Sequence, residues 1–564
     1  MNVLGISCFY HDSCAVLMRD GVVVSAIQEE RFNRDKYSPV FPVQAVNACL
    51  QEGGITIYDI DEVAFYEKMY LKFERTILGH ISGWPFTMRN FVDTMPLWLK
   101  DRLAVAFHVE DELVYKKPIL HVKHHLSHAA SAYLVSPFES AAIITMDGVG
   151  EYACGSWGVG RGNDIEIKQE MHYPHSLGLL YSIFTAYLGF RVFAGEGKVM
   201  ALAEYGEPKF MDEMRKLVDL REDGSFQLEP AYFSFNRGDR MHTDKFEGLF
   251  GPAREEHSEL TQHHMDVAAT LQRMTEEVLL RVARYAHEQT GEKNLCMAGG
   301  CFLNVTANGR IRDETPFENI YVQPAAGDAG GALGAAAFVT HSVHGLPRNW
   351  VMDRATLGPA HPDYQIEVLL RNKRIKYEKL EEDALIARAA DRLADGKIIG
   401  WFQGRMEFGP RALGSRSILA NPGIADMKER LNAVIKHREA FRPFGASVLA
   451  DHVSEWFEED AMSPFMLMVH TIQEDKRSRI PAVAHINNTC RIQTVTPDVD
   501  GIYHRLISAF NERTSIPMVL NTSFNDSEPI VNTPQEALDC YKGSGMDCLV
   551  MGPYFVERET NDGT

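Results

Sequence analysis

One local design is written twice in this chain, and a repeated unit constrains a fold more than composition does. The first copy runs NVLGIS, CFYHDS and CAVLMRDGVVVSAIQEERF from the N-terminus. It reads as strand, tight turn, strand, turn, strand, with β-branched runs and an Asp20-Gly21 turn. A helix is expected from about Pro42 to Gln51, stopped by Gly53-Gly54. The second copy is AAIITMDGVGEYACGSWGVGRGN. Its apolar strand ends at Asp147, a glycine-rich turn follows, and a second strand starts at Tyr152. Acidic and polar residues occupy the turn in both copies. The pattern points to an internal structural duplication, with two unrelated hairpins as the competing reading.

Two strand-to-helix junctions follow. KNLCMAGGCFLNVTANGRI sets Gly299-Gly300 between an apolar run and a helix, and NIYVQPAAGDAGGALGAAAFV sets Asp328 before a helix of small residues. Glycine at such junctions lets a ligand approach the backbone, and a helix N-terminus favours an anion. Together with the two hairpins, they give an α/β fold of duplicated actin/Hsp70-like lobes around a nucleotide cleft. The expected first domain is 1–350. Prolines and turns mark a boundary at about 345–365, a second α/β domain is expected over 360–556, and 557–564 reads as a tail.

With 564 residues, 45% of them hydrophobic and 24% charged, the chain is long enough for several cores. A net charge of -20 argues against nucleic acid as a partner. The nine cysteines are scattered without a CxxC pair, which predicts reduced thiols in the cytoplasm. No targeting segment is apparent. The apolar run from Leu177 to Phe190 is shorter than the roughly 18 residues of a membrane span and reads as a buried helix.

KHHLSHAA, beginning at Lys123, concentrates histidine. His124 and His128 stand at i and i+4, so on a helix they project from one face and suit a shared metal. A packed, hydrogen-bonded helix is the plain alternative. Asp147 and Asp328, at later strand ends, would complete a His2Asp2 set of the kind Fe(II), Mn(II) or Zn(II) accepts.

A second concentration is GRMEFGPRALGSRSILANP, in which Arg405, Arg411 and Arg416 alternate with Gly404, Gly409 and Gly414. Lys436, Arg438, Arg442 and Arg491 come later, and VLNTSFN supplies Asn521 and Ser523. Guanidinium groups match phosphate and carboxylate oxygens, and the glycines are read as room for a ligand. The expectation is an anion pocket; surface salt bridges are the competing reading.

HDSCAVL, EERFNRDK, HHLSHAASAY, TMDGVGE, GGCFLN and GDAGGALGAA, followed by EFGPRALGSRS and LNTSFN, closely resemble the ATP-dependent O-carbamoyltransferases. That family includes the NodU nodulation proteins and the nebramycin (tobramycin), cephamycin and ansamycin carbamoyltransferases of antibiotic and other natural product biosynthesis. The resemblance runs along nearly the whole chain in order. It implies an N-terminal ASKHA-type part similar to the tRNA threonylcarbamoyl-transfer ATPases and a C-terminal YrdC-like part.

It further implies that carbamoyl phosphate and ATP form carbamoyl adenylate in the C-terminal domain. The carbamoyl group then passes to a hydroxyl of a small molecule and AMP leaves. His124, His128, Asp147 and Asp328 fall on the family's metal ligands, implying Fe(II) or a similar divalent metal, with Mg(II) accompanying ATP. His11 matches a histidine near the transferring group and Lys36 a lysine that meets the phosphate or adenylate. Gly299, Gly300 and Asn304 match nucleotide-lining positions. Arg411, Lys436, Arg491 and Ser523 match contacts to carbamoyl phosphate or the adenylate, joined by Asn521; Arg405, Arg416 and Arg442 are weaker matches. His121 and His125 take no role.

The alternatives are a threonylcarbamoyl-type tRNA modification protein, which the acidic charge disfavours, and a nucleotide- and metal-binding regulator without transfer activity. The expected partners are carbamoyl phosphate, ATP and a small hydroxylated acceptor, without nucleic acid or membrane. A homodimer is the oligomer base rates favour. The stretch from about Glu67 to Glu110, rich in Trp, Phe and Met, reads either as contact for an apolar acceptor scaffold or as core, and core is the expectation.

Overall fold

The computed structural model describes residues 1–235 and 240–558. The chain divides into two compact units: residues 1–29 with 37–352, and residues 30–36 with the chain from 353 onward. The short segment 30–36, assigned by the sequence to the first domain, therefore belongs to the second unit.

The first unit is built on two five-stranded sheets. One contains β1 (Asn2–Ser7), β2 (Cys14–Arg19), β3 (Val22–Gln28), β4 (Glu62–Phe65) and β5 (Ile119–His121) in the order β3-β2-β1-β4-β5. The other contains β6 (Ser140–Met146), β7 (Ala153–Arg161), β8 (Asp164–His172), β9 (Asn294–Ala298) and β10 (Asn319–Val322) in the order β10-β9-β6-β7-β8. In each, three antiparallel strands are followed by two that run parallel to the first. The two orders are the same topology, so the repeated strand–turn–strand pattern marks a real duplication of actin/Hsp70-like lobes. The central strands are buried and read as continuous apolar runs, whereas edge strand β8 alternates exposed and half-buried residues.

The helices follow their local signals. Helix α1 (Val43–Gly53) ends where Gly54 takes a left-handed φ of 61°. Helices α2 (Met69–Ser82), α3 (Met88–Lys100) and α4 (Val105–Leu113) are inserted between β4 and β5. Helix α5 (His124–Tyr133) is buried throughout except at Leu126. The apolar run forms α6 (Leu177–Tyr187), and the long α7 (Gln262–Thr290) is closed by Gly291. Helices α8 (Val305–Glu314) and α9 (Asp328–Ala337) complete the unit. The glycines of α9 bring backbones into contact: a Cβ on Gly334 would lie 1.7 Å from the Ser127 carbonyl oxygen on α5.

The expectation that residues 67–110 pack as core does not hold. Met69, Trp98, Val105 and Val109 are buried, but Tyr70, Ile81, Trp84, Phe86, Leu99 and Phe107 are exposed. The inserted helices bury one face and leave the other to solvent.

The second unit surrounds one mixed nine-stranded sheet. Its strands are β11 (Glu378–Lys379), β12 (Ile399–Phe402), β13 (Arg416–Ala420), β14 (Gly445–Leu449), β15 (Val469–Thr471), β16 (Thr489–Val495), β17 (Met518–Ser523), β18 (Cys548–Met551) and β19 (Tyr554–Glu557). The order is β11-β19-β18-β12-β13-β17-β14-β16-β15. Trp401, Ile418, Val448, Ile492 and Leu520 contribute to its core. Segment 30–36 is tied into this unit: Arg31 donates to the Gly409 carbonyl at 2.8 Å and Arg34 to the Ile530 carbonyl at 2.9 Å. Of the expected tail, Glu557 ends β19 and its carboxylate pairs with Arg388 at 3.0 Å, while residues 559–564 lie outside the described residues. No helix among the described residues is long and apolar enough to cross a membrane.

Candidate active site: a buried imidazole–carboxylate cluster and a cation pocket

Three elements of the first unit converge on one point. Helix α5 presents His124 and His128 from one face. Asp147 follows β6, and Asp328 opens α9. One ligand atom from each of the four lies within 4.8 Å of all the others, and all four residues are buried. His124 Nε2 is 3.1 Å from both His128 Nε2 and Asp147 Oδ2, and 3.7 Å from Asp328 Oδ1. His128 Nε2 is 3.6 Å from Asp147 Oδ2 and 3.7 Å from Asp328 Oδ1.

These residues fit a divalent metal. Ligands at about 2.1 Å from a tetrahedral ion lie about 3.4 Å apart, inside the observed spread. Asp328 Oδ1 is buried without a hydrogen-bond donor, and two imidazole nitrogens face each other in front of it. Burial disfavours charge on these groups, and their mutual attraction works against it. Both histidines are raised against burial, His124 chiefly by Asp328 and His128 chiefly by Asp147. The Asp147 carboxyl is lowered against burial by the two histidines.

Residues that the sequence did not single out orient these ligands. Glu67 Oε2 lies 3.5 Å from His124 Nδ1 and accepts from Lys72 Nζ at 2.6 Å. A carboxylate behind a ligating imidazole fixes its tautomer and orientation. Glu151 accepts the His124 backbone N–H at 3.0 Å and that of Lys68 at 2.7 Å, holding the start of α5. Tyr66 donates to Asp328 Oδ2 at 3.4 Å. The position of Glu67 just after β4 was the available signal, and nothing in the sequence linked it to His124.

His11 sits in the turn after β1, with Nδ1 2.9 Å from Asp12 Oδ2 and Nε2 3.7 Å from Asp328 Oδ2. Burial alone would lower it, but Asp328 and Asp12 raise it to about 9. His125 turns away and lies 2.7 Å from the Thr145 hydroxyl, while His121 Nδ1 lies 3.1 Å from the Glu67 carbonyl. Gly299 has φ 100°, and a Cβ there would sit 2.3 Å from the Met146 carbonyl oxygen. Gly300 N–H donates to Asp147 Oδ1 at 2.9 Å. The double glycine thus presses the junction onto the strand end that carries Asp147. Asn304 caps α8 through Ala307 N–H and exchanges amide hydrogen bonds with Gln272 at 2.9 and 3.0 Å. Its amide is already engaged.

Lys36, grouped with His11 by the sequence, lies in the second unit. Partial desolvation lowers its pKa, as do the charges of Arg31 and Arg442, against the pull of Glu30. It joins a gathering of cations. Lys436 is buried and donates to the Asn525 carbonyl at 2.7 Å, Asn525 Oδ1 at 2.8 Å and the Ser523 carbonyl at 2.5 Å. Burial lowers its pKa strongly, helped by Arg438, Lys36 and Arg442. Burial also lowers Arg438 to about 9, with Arg442 and Arg491 contributing, and lowers Arg491 to about 10. Gly445 on β14 pairs with Arg491 on one side and Asn521 on the other. A Cβ at Gly445 would come within 3.2 Å of Arg491 Nε. The glycine leaves room for that guanidinium. Such mutually opposed charges favour an anion between them.

The glycine-interleaved arginines divide differently from the expectation. Gly404, Gly409 and Gly414 have φ values of 51°, 112° and 104°, so backbone conformation, not ligand access, requires them. Glu407 Oε1 ties their loop together by accepting the N–H groups of Leu413, Ser415 and Arg416 at 2.8, 2.8 and 3.1 Å. Arg416 is fully buried, stacks over Phe402 at 3.7 Å and donates to the carbonyls of Gln403 and Gly404 at 2.7 and 3.0 Å. Arg405 donates to the carbonyls of Gly358 and Leu357. Both act as backbone anchors. Asn521 is likewise engaged, donating to Ser447 Oγ at 2.9 Å. Arg411 lies half-buried in the loop. Arg416→Met is expected to cost about 3 kcal/mol or more by stranding buried carbonyls; a thermal melt checks this.

Fold and site together define a duplicated-lobe α/β protein with a metal-type imidazole–carboxylate centre, followed by an α/β domain with a cluster of cationic side chains. The carbamoyltransferase N-terminus family matches residues 2–337 and the carbamoyltransferase C-terminus family residues 390–558. The chain belongs to the carbamoyltransferase family. An uncharacterized protein of Synechocystis is 44% identical over 99% of this chain and 97% of its own length. Nodulation protein NolNO of Sinorhizobium fredii is 38% identical over 98% of this chain and 80% of its own. Nodulation protein U of Rhizobium tropici is 28% identical over 93% and 91%. Among solved structures, component A of the Acidaminococcus fermentans (R)-2-hydroxyglutaryl-CoA dehydratase aligns with 61% of this chain and 99% of its own at 14% identity and a TM-score of 0.35.

Proposed function

We propose that this protein is a cytoplasmic, ATP-dependent O-carbamoyltransferase acting on a hydroxyl of a small natural product, with the two chemistries divided between the two units. The observation that carries this reading is the pairing, in one carbamoyltransferase chain, of a buried His2Asp2 centre with a cluster of Lys36, Lys436, Arg438, Arg442 and Arg491.

In the second unit the cations bind carbamoyl phosphate and the triphosphate of ATP with its Mg(II). Water releases phosphate from carbamoyl phosphate, leaving carbamate. A carbamate oxygen then bonds to the α-phosphorus of ATP, and the bond to pyrophosphate breaks. Lys436 and Arg491 stabilise charge on the phosphates as pyrophosphate departs. The product, carbamoyl adenylate, has AMP as its leaving group.

In the first unit the acceptor oxygen attacks the carbamoyl carbon, the bond to the adenylate oxygen breaks, and AMP leaves. His11 Nε2 takes the hydroxyl proton, a role that needs its neutral form. His124, His128, Asp147 and Asp328 would hold Fe(II) or a similar divalent ion, whose charge offsets the carboxylates that keep His11 protonated and which supplies Lewis acidity. Glu67 and Tyr66 keep the ligands in place, and the depth of the site limits loss of the adenylate to water.

The test is an incubation of the full chain with ATP, Mg(II), carbamoyl phosphate, Fe(II) and a panel of hydroxylated natural products. Carbamoylated product with one AMP per transfer is expected. Product without AMP, or no transfer to any acceptor despite a loaded metal site, would sink the proposal.

A further inference from the structure

Beside His11 in the first unit lies a feature that the carbamoyl chemistry does not use. Phe193 is a bulky residue at φ 69°, a left-handed conformation that side chains like it avoid. Its backbone N–H is held at 3.1 Å by Glu196, which also accepts from Ser182 at 3.0 Å. The residue is nevertheless 46% exposed. Its centroid is 4.8 Å from that of His11 and 6.0 Å from that of Tyr10. Hydrophobic burial therefore does not explain why an aromatic ring is held here under strain.

Arg75 on α2 supplies a second, independent observation. Its guanidinium lies over the Tyr173 ring at 5.0 Å, and its Nε is buried without a hydrogen-bond partner. It stands one turn beyond Lys72 on α2, and the Lys72 ammonium lies over the Tyr10 ring at 4.6 Å. Nearby Lys72 is committed to Glu67, and Arg102 stacks on Trp98 at 5.0 Å. Arg75 is thus a half-buried fork beside the aromatic pair with donor capacity left over.

We propose that Phe193, Tyr10 and Arg75 form the acceptor subsite, and that it takes a ring-bearing hydroxyl compound carrying a carboxylate. The ring lies on Phe193, which places a hydroxyl at His11, and Arg75 pairs with the carboxylate. This rests on the transferase reading and adds the acceptor's chemical class. An aromatic face stacks on a sugar or planar ring, and a guanidinium fork matches a carboxylate in two hydrogen bonds. Phe193 and Arg75 are positioning residues.

Phenyl β-D-glucuronide and phenyl β-D-glucoside, which share two rings and differ in one carboxylate, are suitable probes. Binding to the full chain is measured by saturation-transfer NMR and calorimetry, with pyrophosphate release from ATP and carbamoyl phosphate followed on the same samples. The glucuronide is expected to bind about tenfold or more tighter than the glucoside, the span of one charge-assisted hydrogen bond. Arg75→Met should abolish that preference and Arg75→Lys restore part of it. Phe193→Ala should weaken both probes about fivefold or more and Phe193→Tyr should not. Pyrophosphate release and melting temperature should be unchanged in all four. Equal binding of the two probes, a preference that survives Arg75→Met, or no binding up to the solubility limit would overturn the inference. If these occurred while pyrophosphate release was intact, the subsite alone would fall. Absence of release in the unaltered protein would instead remove the transferase reading.

Discussion

His128→Ala is expected to empty the metal centre and stop carbamoyl transfer while leaving carbamoyl adenylate formation intact. His128 is fully buried and supplies one of the four convergent donors. Its loss leaves His124, Asp147 and Asp328, and no neighbouring donor moves in, because His125 is held against Thr145. Changes behind the ligands of metal sites already cost about 10–100-fold in affinity, so loss of a ligand itself should exceed that. Metal analysis after gel filtration should therefore read close to zero, and transfer should fall by at least about 100-fold. The second unit contributes none of these ligands, so pyrophosphate release should continue. Equal loss of both steps would give His128 a purely structural role.

Gly334→Ala is expected to be the most destabilising single-methyl change in the first unit. The new Cβ would lie 1.7 Å from the Ser127 carbonyl oxygen and 2.9 Å from the Ser131 nitrogen, both backbone atoms of α5. No rotamer change relieves such a contact, so α5 and α9 must separate. Overpacking typically costs 1–3 kcal/mol and more when backbone must move; about 3 kcal/mol would lower the melting temperature by roughly 4 °C in a unit of this size. The same shift would draw His124 and His128 away from Asp328, so metal should be lost together with stability. Gly197→Ala is the control: nothing lies within 4 Å of its added Cβ, and the melt should be unchanged or slightly raised.

The duplicated sheets were legible because strand–turn–strand patterns are local and each copy carries its own turn residues. Both sheets also needed partners from far along the chain, and β4, β5, β9 and β10 could be placed only by pairing. His124 and His128 were legible for the same local reason, one helix face four residues apart. Asp147 and Asp328 could be nominated as strand-end carboxylates, but only the fold brings them to the imidazoles. Glu67, Glu151 and Glu407 were not legible, since each acts on groups its sequence neighbours do not reveal. The arginine–glycine alternation misled in part. It marks three positive-φ positions and two guanidinium anchors, while the close-set cations of the second unit are Lys36, Lys436, Arg438, Arg442 and Arg491. Segment 30–36 lies early in the chain and packs with its later part, which no periodicity could indicate.

The division of labour between the two units is tested most directly by exchange of labelled pyrophosphate into ATP, dependent on carbamoyl phosphate. Exchange is expected in the unaltered chain and in His128→Ala, and none in a folded Lys436→Met. No exchange in the unaltered chain, or the same loss in His128→Ala as in Lys436→Met, would contradict it.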